Sequence, residues 1–268
     1  MTRMLIAVGS VKAAPGATTL ALGLAALWPR PDCVVIECDP SGGDLWARFG
    51  HHPEPGLSGL AAAPPWRGPI PESFRQRLSV GADAVLAIPG DGATAAVRTL
   101  VDKSIGTLRQ AATSATVVLD VGRLDRGSPS IALAAAADHV LLLAAPTLAE
   151  QAQVGARLPW LTRTLAGRLW LVRAGRGGHN SYELSRDLNV SVIGTVPRGR
   201  WGAGVLAGQL RIPNWRQLNV ARAVAGIAAT LCALDPQEPA TVAWRVPDVR
   251  VVPPVIGDRA DTRRDAVR

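Results

Sequence analysis

A glycine and two threonines follow the first apolar run of the chain, in the stretch SVKAAPGATTLA (residues 10–21). A glycine-rich turn between a strand and a helix presents backbone N–H groups to an anion, and the helix dipole adds to the attraction. Gly16 supplies such a turn, and Thr18 supplies a hydroxyl that could hold Mg²⁺. The ordinary phosphate loop, G-x-x-x-x-G-K-[ST], has a lysine where this chain has Ala17. A phosphate-binding loop and a simple helix cap are therefore both open at this point.

Two aspartates end later apolar runs. Asp39 lies in ECDPSGGD (37–44), and Asp120 ends the hydrophobic run of VVLDVG (117–122). Beside a phosphate loop, Asp39 is placed to orient a water for attack on a γ-phosphate, and Asp120 is placed to hold Mg²⁺. Each stretch alone also fits an ordinary turn or strand end. The order of the three motifs along the chain favours a nucleotide site.

These motifs need a sheet that brings them together. Continuous apolar runs alternate with helical segments, which predicts an α/β fold: a mostly parallel twisted sheet with helices on both faces, similar to P-loop NTPases. In such a sheet the loops after the first, second and fourth strands meet at one edge. The predicted strands are 4–9, 33–37, 84–90, 115–122, 139–146, 168–175 and 190–197, and the predicted helices are 18–28, one near 71–78, 93–112, 130–139, 147–166 and 219–234. Residues 1–235 are predicted to form one domain, and 236–268 an extended or partly disordered tail.

Composition narrows the class of protein. The chain has 268 residues, of which 48% are hydrophobic, and a formal net charge of +8. No apolar run has the length of a membrane span, so we expect a cytoplasmic protein. Its three cysteines have no C-x-x-C spacing, which argues against a zinc site or a disulfide framework. Lys12 and Lys103 are its only lysines, and arginine fills the other basic positions.

The first loop resembles that of the ParA/MinD family of deviant Walker (SIMIBI-class) ATPases, K-G-G-x-G-K-T-T. Lys12 matches the signature lysine, which in that family crosses a dimer interface to the partner's nucleotide. The resemblance implies that Gly16, Ala17, Thr18 and Thr19 bind nucleotide and that the protein forms a homodimer with ATP and Mg²⁺.

Later motifs match the same family. Asp39 matches the water-orienting aspartate of D-x-D-P-Q-G, Asp120 matches the Walker B aspartate, and VIGTVPRG (192–199) is similar to the family's late loop near the base, which implies nucleotide contact by Pro197. Where the family often has an adenine-contacting asparagine, the nearest polar residue here is Arg173. The resemblance covers roughly residues 3 to 235.

Alanine at position 17 is typical of the CpaE/TadZ branch of the family, which marks the cell pole for assembly of Tad-type pili. Membership there implies an ATP-dependent dimeric switch or positioning protein with weak or absent hydrolysis and a protein partner in pilus or secretion machinery. The protein would reach a pole or membrane periphery only through such partners. Ala13, Ala14 and Pro15 depart from the family's glycine-rich loop.

Two other functions are compatible with the same residues. The first is a pseudo-ATPase scaffold that dimerises and recruits partners without nucleotide. The second is a DNA-associated partitioning protein that binds phosphates non-specifically through a basic face. The candidate residues for that face are Arg198, Arg200, Arg211, Arg216 and Arg222.

Overall fold

One sheet forms the centre of the molecule. The computed structural model describes residues 3–12, 16–165, 168–175, 177 and 181–234. Within these ranges eight strands occur in the spatial order β3-β4-β2-β5-β1-β6-β7-β8, and all neighbours are parallel except β3 and β4. The strands are β1 (Leu5–Ser10), β2 (Cys33–Glu37), β3 (Gln76–Arg77), β4 (Asp83–Val85), β5 (Thr116–Arg123), β6 (His139–Ala144), β7 (Leu169–Ala174) and β8 (Val192–Val196).

Helices cover both faces of this sheet, which confirms the predicted α/β architecture. They are α1 (Ala17–Leu27), α2 (Leu45–Phe49), α3 (Leu57–Ala62), α4 (Asp91–Ser114), α5 (Ser130–Ala136), α6 (Leu148–Thr164), α7 (Ser181–Leu188), α8 (Arg200–Leu206) and α9 (Asn219–Ala233). Successive strand residues point to opposite faces. Ile6 accordingly packs in the core beneath α1, α8 and α9. Its neighbours Leu5 and Ala7 pack in the core beneath α3 to α7.

The chain reverses its winding beside β1. After β1 it enters α1 on one face of the sheet, whereas after the adjacent β5 it enters α5 on the other face. Two neighbouring strands whose connections leave to opposite faces open a crevice at their carboxyl ends, which is where ligands bind in such sheets. The topology therefore places a crevice between the loops that carry Gly16 and Asp120.

The predicted helix near 71–78 is wrong. The structure has a 3₁₀ turn at Glu72–Phe74 followed by the edge strand β3, which pairs antiparallel with β4. Arg77 donates to Asp83 across this pair at 3.0 Å, so pairing with a neighbouring strand overrides local helix propensity. The predicted third strand, 84–90, is shorter in the structure, where β4 ends at Val85.

Four short helices were not predicted: α2, α3, α7 and α8. None exceeds eight residues, and helices this short depend on packing rather than on a long apolar period. The other predicted helices and strands are confirmed, with ends shifted by a few residues. In the described ranges, no helix is both long and apolar enough to cross a bilayer. The predicted tail, 236–268, lies outside the described residues.

A buried histidine at the amino end of β6 makes the stability of the fold depend on pH. His139 is 3% exposed, and its Nδ1 accepts a hydrogen bond from Nε1 of Trp170 at 3.1 Å. Burial is the main cause that lowers the pKa of His139 below its ordinary value of 6.5. The unfolded chain therefore binds this proton more readily than the folded protein does.

Stability should consequently fall as the pH drops below about 6.5 towards the lowered pKa of His139. We expect the free energy of unfolding to decline less between about pH 7.5 and about pH 5.5 in His139→Asn than in the wild type. Asparagine keeps an acceptor for Trp170 but does not titrate. Urea unfolding at both pH values measures the difference, and equal declines in the two proteins would contradict the prediction.

Candidate functional site

The turn before α1 has the backbone shape of an anion-binding loop. Gly16 has a φ of 103°, in the left-handed region that favours glycine, and α1 begins at the next residue. The first-turn N–H groups of α1 therefore face the crevice without a side-chain cap. Residues 13–15 of the predicted loop lie outside the described residues. Lys12 lies two residues after the end of β1 and is exposed.

Asp120 is the buried acid of the crevice. Its side chain is 2% exposed and lies close to the Thr18 hydroxyl, whose effect as a donor is to lower the pKa of Asp120. The Gly122 N–H approaches its Oδ1 at 3.4 Å. Burial is the main cause that raises the pKa of Asp120 to about 7, and Glu37 and Asp39 add to the effect. A positive charge stabilises the ionised form of a buried carboxylate, so such a site favours a cation.

Asp39 lies against the same strand end. The Cys38 N–H donates to the Asp120 carbonyl at 2.7 Å, which fixes the start of the Asp39 loop beside β5. Ser41 N–H donates to Asp39 Oδ1 at 2.8 Å, so one carboxylate oxygen is held by its own turn. The structure thus brings Thr18, Asp39 and Asp120 together at one edge of the sheet.

Because Gly122 has no side chain, the Asp39 carboxylate can occupy the space beside it. The φ of Gly122 is 62°, and a Cβ at this position would lie 2.1 Å from the Asp39 carboxylate carbon. We expect Gly122→Ala to lower the free energy of unfolding by about 1–3 kcal/mol and to displace Asp39. Gly68→Ala is the control, because its φ of 83° is also positive but its Cβ would meet open space. Thermal unfolding measures both variants, and an equal loss of stability would contradict the steric role of Gly122.

A cleft of about 610 Å³ opens beside Thr18, Asp39 and Gly122. Its wall includes Ala17, Thr18 and Asp39, together with Thr94 and Arg98 from α4. The Thr94 hydroxyl donates to the Pro40 carbonyl at 2.6 Å and ties α4 to the Asp39 loop. Sequence reasoning treated α4 only as a covering helix and missed both of its cleft residues, because nothing local to α4 indicates which loop it meets.

An apolar cavity of about 210 Å³ adjoins the other side of Gly16. Gly16 and Thr19 line it together with Pro197, Val220 and Val224. It lies at the carboxyl ends of β6, β7 and β8, where a flat apolar ring could be buried. The predicted nucleotide-contacting residues therefore divide between the polar cleft, which Ala17 and Thr18 line, and the apolar cavity, which Gly16, Thr19 and Pro197 line.

Arg173 is held by its own chain rather than presented to a ligand. It is 8% exposed, and its Nη2 donates to the Gly177 carbonyl at 2.8 Å. Gly175 N–H donates to the Val196 carbonyl at 2.7 Å and ties this loop to the end of β8. The Arg198 side chain lies over Gly175 at the rim of the apolar cavity.

The donor set of the cleft fits Mg²⁺. Mg²⁺ prefers oxygen ligands and usually takes one or two from the protein, with waters and substrate phosphates supplying the rest. The Thr18 hydroxyl, in the cleft wall, and the Asp120 carboxylate, buried close to it, are such oxygens. Among the described residues, no group of three or more His, Cys, Asp or Glu side chains could hold a metal ion by itself. The site therefore suits a metal that arrives with phosphates.

Glu37 is a structural residue that sequence reasoning did not single out. It is 1% exposed, and its carboxylate accepts hydrogen bonds from the N–H groups of Asp44, Leu45 and Ala87 at 2.9, 3.0 and 2.9 Å. Burial is the main cause that raises its pKa, while these three bonds oppose the shift. The signal was present as an acid in the otherwise apolar run CVVIE, since a buried acid requires partners.

The five arginines of the predicted basic face have different surroundings. Arg198 lines the apolar cavity, and Arg211 lines a separate groove beside Arg48. Arg200 stacks on Trp201 at 4.9 Å. Arg216 donates to the Ala26 carbonyl at 3.3 Å, and Arg222 is exposed on α9. Arg198, Arg200 and Arg216 therefore contact their own protein surface, and a DNA-binding role remains a prediction.

Solved structures share this fold. The cell division ATPase MinD of Pyrococcus furiosus is 18% identical with a TM-score of 0.67, covering 88% of this chain and 100% of its own. A ParA family ATPase from Chlorobium tepidum TLS is 16% identical with a TM-score of 0.66, covering 85% and 99%. The septum site-determining protein MinD of Pyrococcus horikoshii OT3, complexed with Mg-ADP, is 15% identical with a TM-score of 0.63, covering 86% and 96%.

No family model and no curated protein sequence matches the chain. At these identities the structural likeness establishes the fold alone. The chain has the α/β fold of the MinD and ParA ATPases, with a mostly parallel eight-stranded sheet covered by helices.

Proposed function

We propose that this protein is a nucleotide-controlled switch of the ParA/MinD type, which binds ATP and Mg²⁺ in the cleft and the adjoining apolar cavity. The observation that carries the proposal is that Thr18 and Asp39 line one cleft and that the buried Asp120 lies close to both of them. The Pyrococcus horikoshii structure of the same fold holds Mg-ADP, which supports the choice of ligand. The apolar cavity would take the base, and the N–H groups of α1 would take the phosphates.

Hydrolysis is proposed to be weak or absent. Ala17 lines the cleft where the phosphate loop of ATPases carries a lysine. Phosphoryl transfer is accelerated mainly by neutralising charge on the phosphate oxygens, so loss of that cation slows the chemical step. Asp39 would still orient a water, and Mg²⁺ when bound would supply charge at the phosphates. Binding, rather than turnover, would then set the state of the switch.

A metal ligand at position 120 can be tested directly. We expect Mg²⁺ to strengthen ATP binding to the wild type, and Asp120→Asn to reduce this Mg²⁺-dependent gain by about 10- to 100-fold. Isothermal titration of ATP with and without Mg²⁺ measures the gain. Asp125→Asn is the matched control, because Asp125 also lines the cleft but is paired with Arg157 at 3.3 Å. A Mg²⁺ effect unchanged by Asp120→Asn would contradict the assignment.

The loop sequence indicates which branch of the ParA/MinD family the chain resembles. Alanine after the loop glycine is typical of the CpaE/TadZ branch, so we propose a positioning role in pilus or secretion machinery with a protein partner. The exposed Lys12 supports a homodimer, since an ammonium at the loop's rim can reach the phosphates of a second subunit. A scaffold that ignores nucleotide is the alternative, and the same titration distinguishes the two.

A further inference from the structure

We propose that Arg98 supplies the positive charge at the nucleotide's polyphosphate that position 17 of the loop lacks. This inference rests on the proposed function. Ala17 lines the cleft wall at the position where an ATPase loop has a lysine, so this position carries no positive charge. A polyphosphate carries several negative charges, and binding them beside the buried Asp120 needs compensation from more than one cation.

Arg98 lies on the part of α4 that is attached to the nucleotide loops. Thr94, one turn earlier on the same helix, donates to the Pro40 carbonyl at 2.6 Å. Residues four apart share a helix face, so Arg98 lies on the side of α4 that meets the Asp39 loop. Both Thr94 and Arg98 line the cleft of about 610 Å³, as do Ala17 and Thr18 of α1. The cation is thus held over the cleft by a fixed element.

Among the described residues, Arg98 has no partner for its charge. Within the part of the chain that the structure describes, its guanidinium has no ion pair within 4.0 Å and no side-chain hydrogen bond. Arg123, the other arginine of the cleft wall, forms an ion pair with Asp125, with 3.8 Å between Nε and Oδ2. An exposed guanidinium has several donors in a planar fork, which matches two phosphate oxygens at once.

The test compares ATP·Mg²⁺ affinities of wild type, Arg98→Lys, Arg98→Ala and Arg98→Glu by isothermal titration. The expected order of affinity follows the charge: wild type first, then lysine, alanine and glutamate, with Arg98→Ala weaker than wild type by about tenfold or more. Lys103→Glu is the matched control. It replaces an exposed lysine on the same helix, outside the cleft, and changes the net charge by as much as Arg98→Glu does. It therefore measures the effect of net charge alone.

The outcomes separate the two proposals. A wild type that gives no saturable heat with ATP·Mg²⁺ overturns the proposed function and the role of Arg98 together. A wild type that binds, with Arg98→Glu no weaker than Lys103→Glu, overturns the role of Arg98 and leaves the nucleotide site standing. A graded loss that exceeds the control supports both. Because Arg98 is exposed, its variants should unfold at the wild-type temperature, which a thermal melt checks on the same samples.

Discussion

Replacing Glu37 with leucine should lower the free energy of unfolding by about 2–3 kcal/mol, because three N–H donors, two of them in buried bonds, lose their acceptor at about 1 kcal/mol each. The donors belong to Asp44, Leu45 and Ala87. They come from two loops, one leading into α2 and one following β4, which the Glu37 carboxylate joins at the end of β2. Leucine has a similar volume, so the loss would measure hydrogen bonding rather than a cavity.

Urea unfolding of Glu37→Leu and of Asp44→Asn makes the comparison. Asp44 is an acid in the same loop, but its side chain is 55% exposed and pairs only with Arg48. Its replacement should change stability by less than about 1 kcal/mol. If Glu37→Leu unfolds within that same margin of the wild type, the carboxylate does not hold the two loops together.

Replacing Lys12 with alanine should abolish dimerisation driven by ATP. In the proposed switch each Lys12 neutralises phosphate charge in the other subunit, so its loss removes a charge-assisted contact from both halves of a symmetric interface. We expect the ATP·Mg²⁺-dependent dimer to weaken by at least about 100-fold, since two contacts of about tenfold each are lost. Size-exclusion chromatography with light scattering, run with and without ATP·Mg²⁺, measures the change.

Two further lysine variants sharpen this test. Lys103→Ala removes the only other lysine and should dimerise like the wild type. Lys12→Arg keeps the charge but replaces a compact ammonium with a planar guanidinium, and we expect it to restore dimerisation only in part. Dimers of Lys12→Ala that still form with ATP would contradict a role of this lysine across the interface.

The meeting of Asp39 and Asp120 could be predicted from the sequence because it depends only on strand order and burial. Both follow apolar runs, and the carboxyl ends of parallel strands share one edge. The register confirms the closeness of the two stretches, since Glu37 of β2 lies opposite Asp120 of β5. The number of residues between Asp39 and Asp120 does not enter this inference.

The residues that the sequence did not reveal act through contacts between distant parts of the chain. Glu37 and Ala87 are 50 positions apart, and the pairing of their groups has no local pattern. Arg98 lies within a regular helix whose sequence shows which face is apolar but not which loop lies above the other face. The short helices depend in the same way on the sheet beneath them. Long-range packing, rather than propensity, determined each of these features.

The most direct test of the account is the mass of the wild-type protein in solution, measured by light scattering while ATP and Mg²⁺ are titrated in the calorimeter on the same samples. A nucleotide-controlled switch should give saturable binding heat, with the mass rising from one chain to two as the site fills. No heat at millimolar ATP, with an unchanged mass, would contradict it and would mean that the loop around Ala17 is kept for its fold alone.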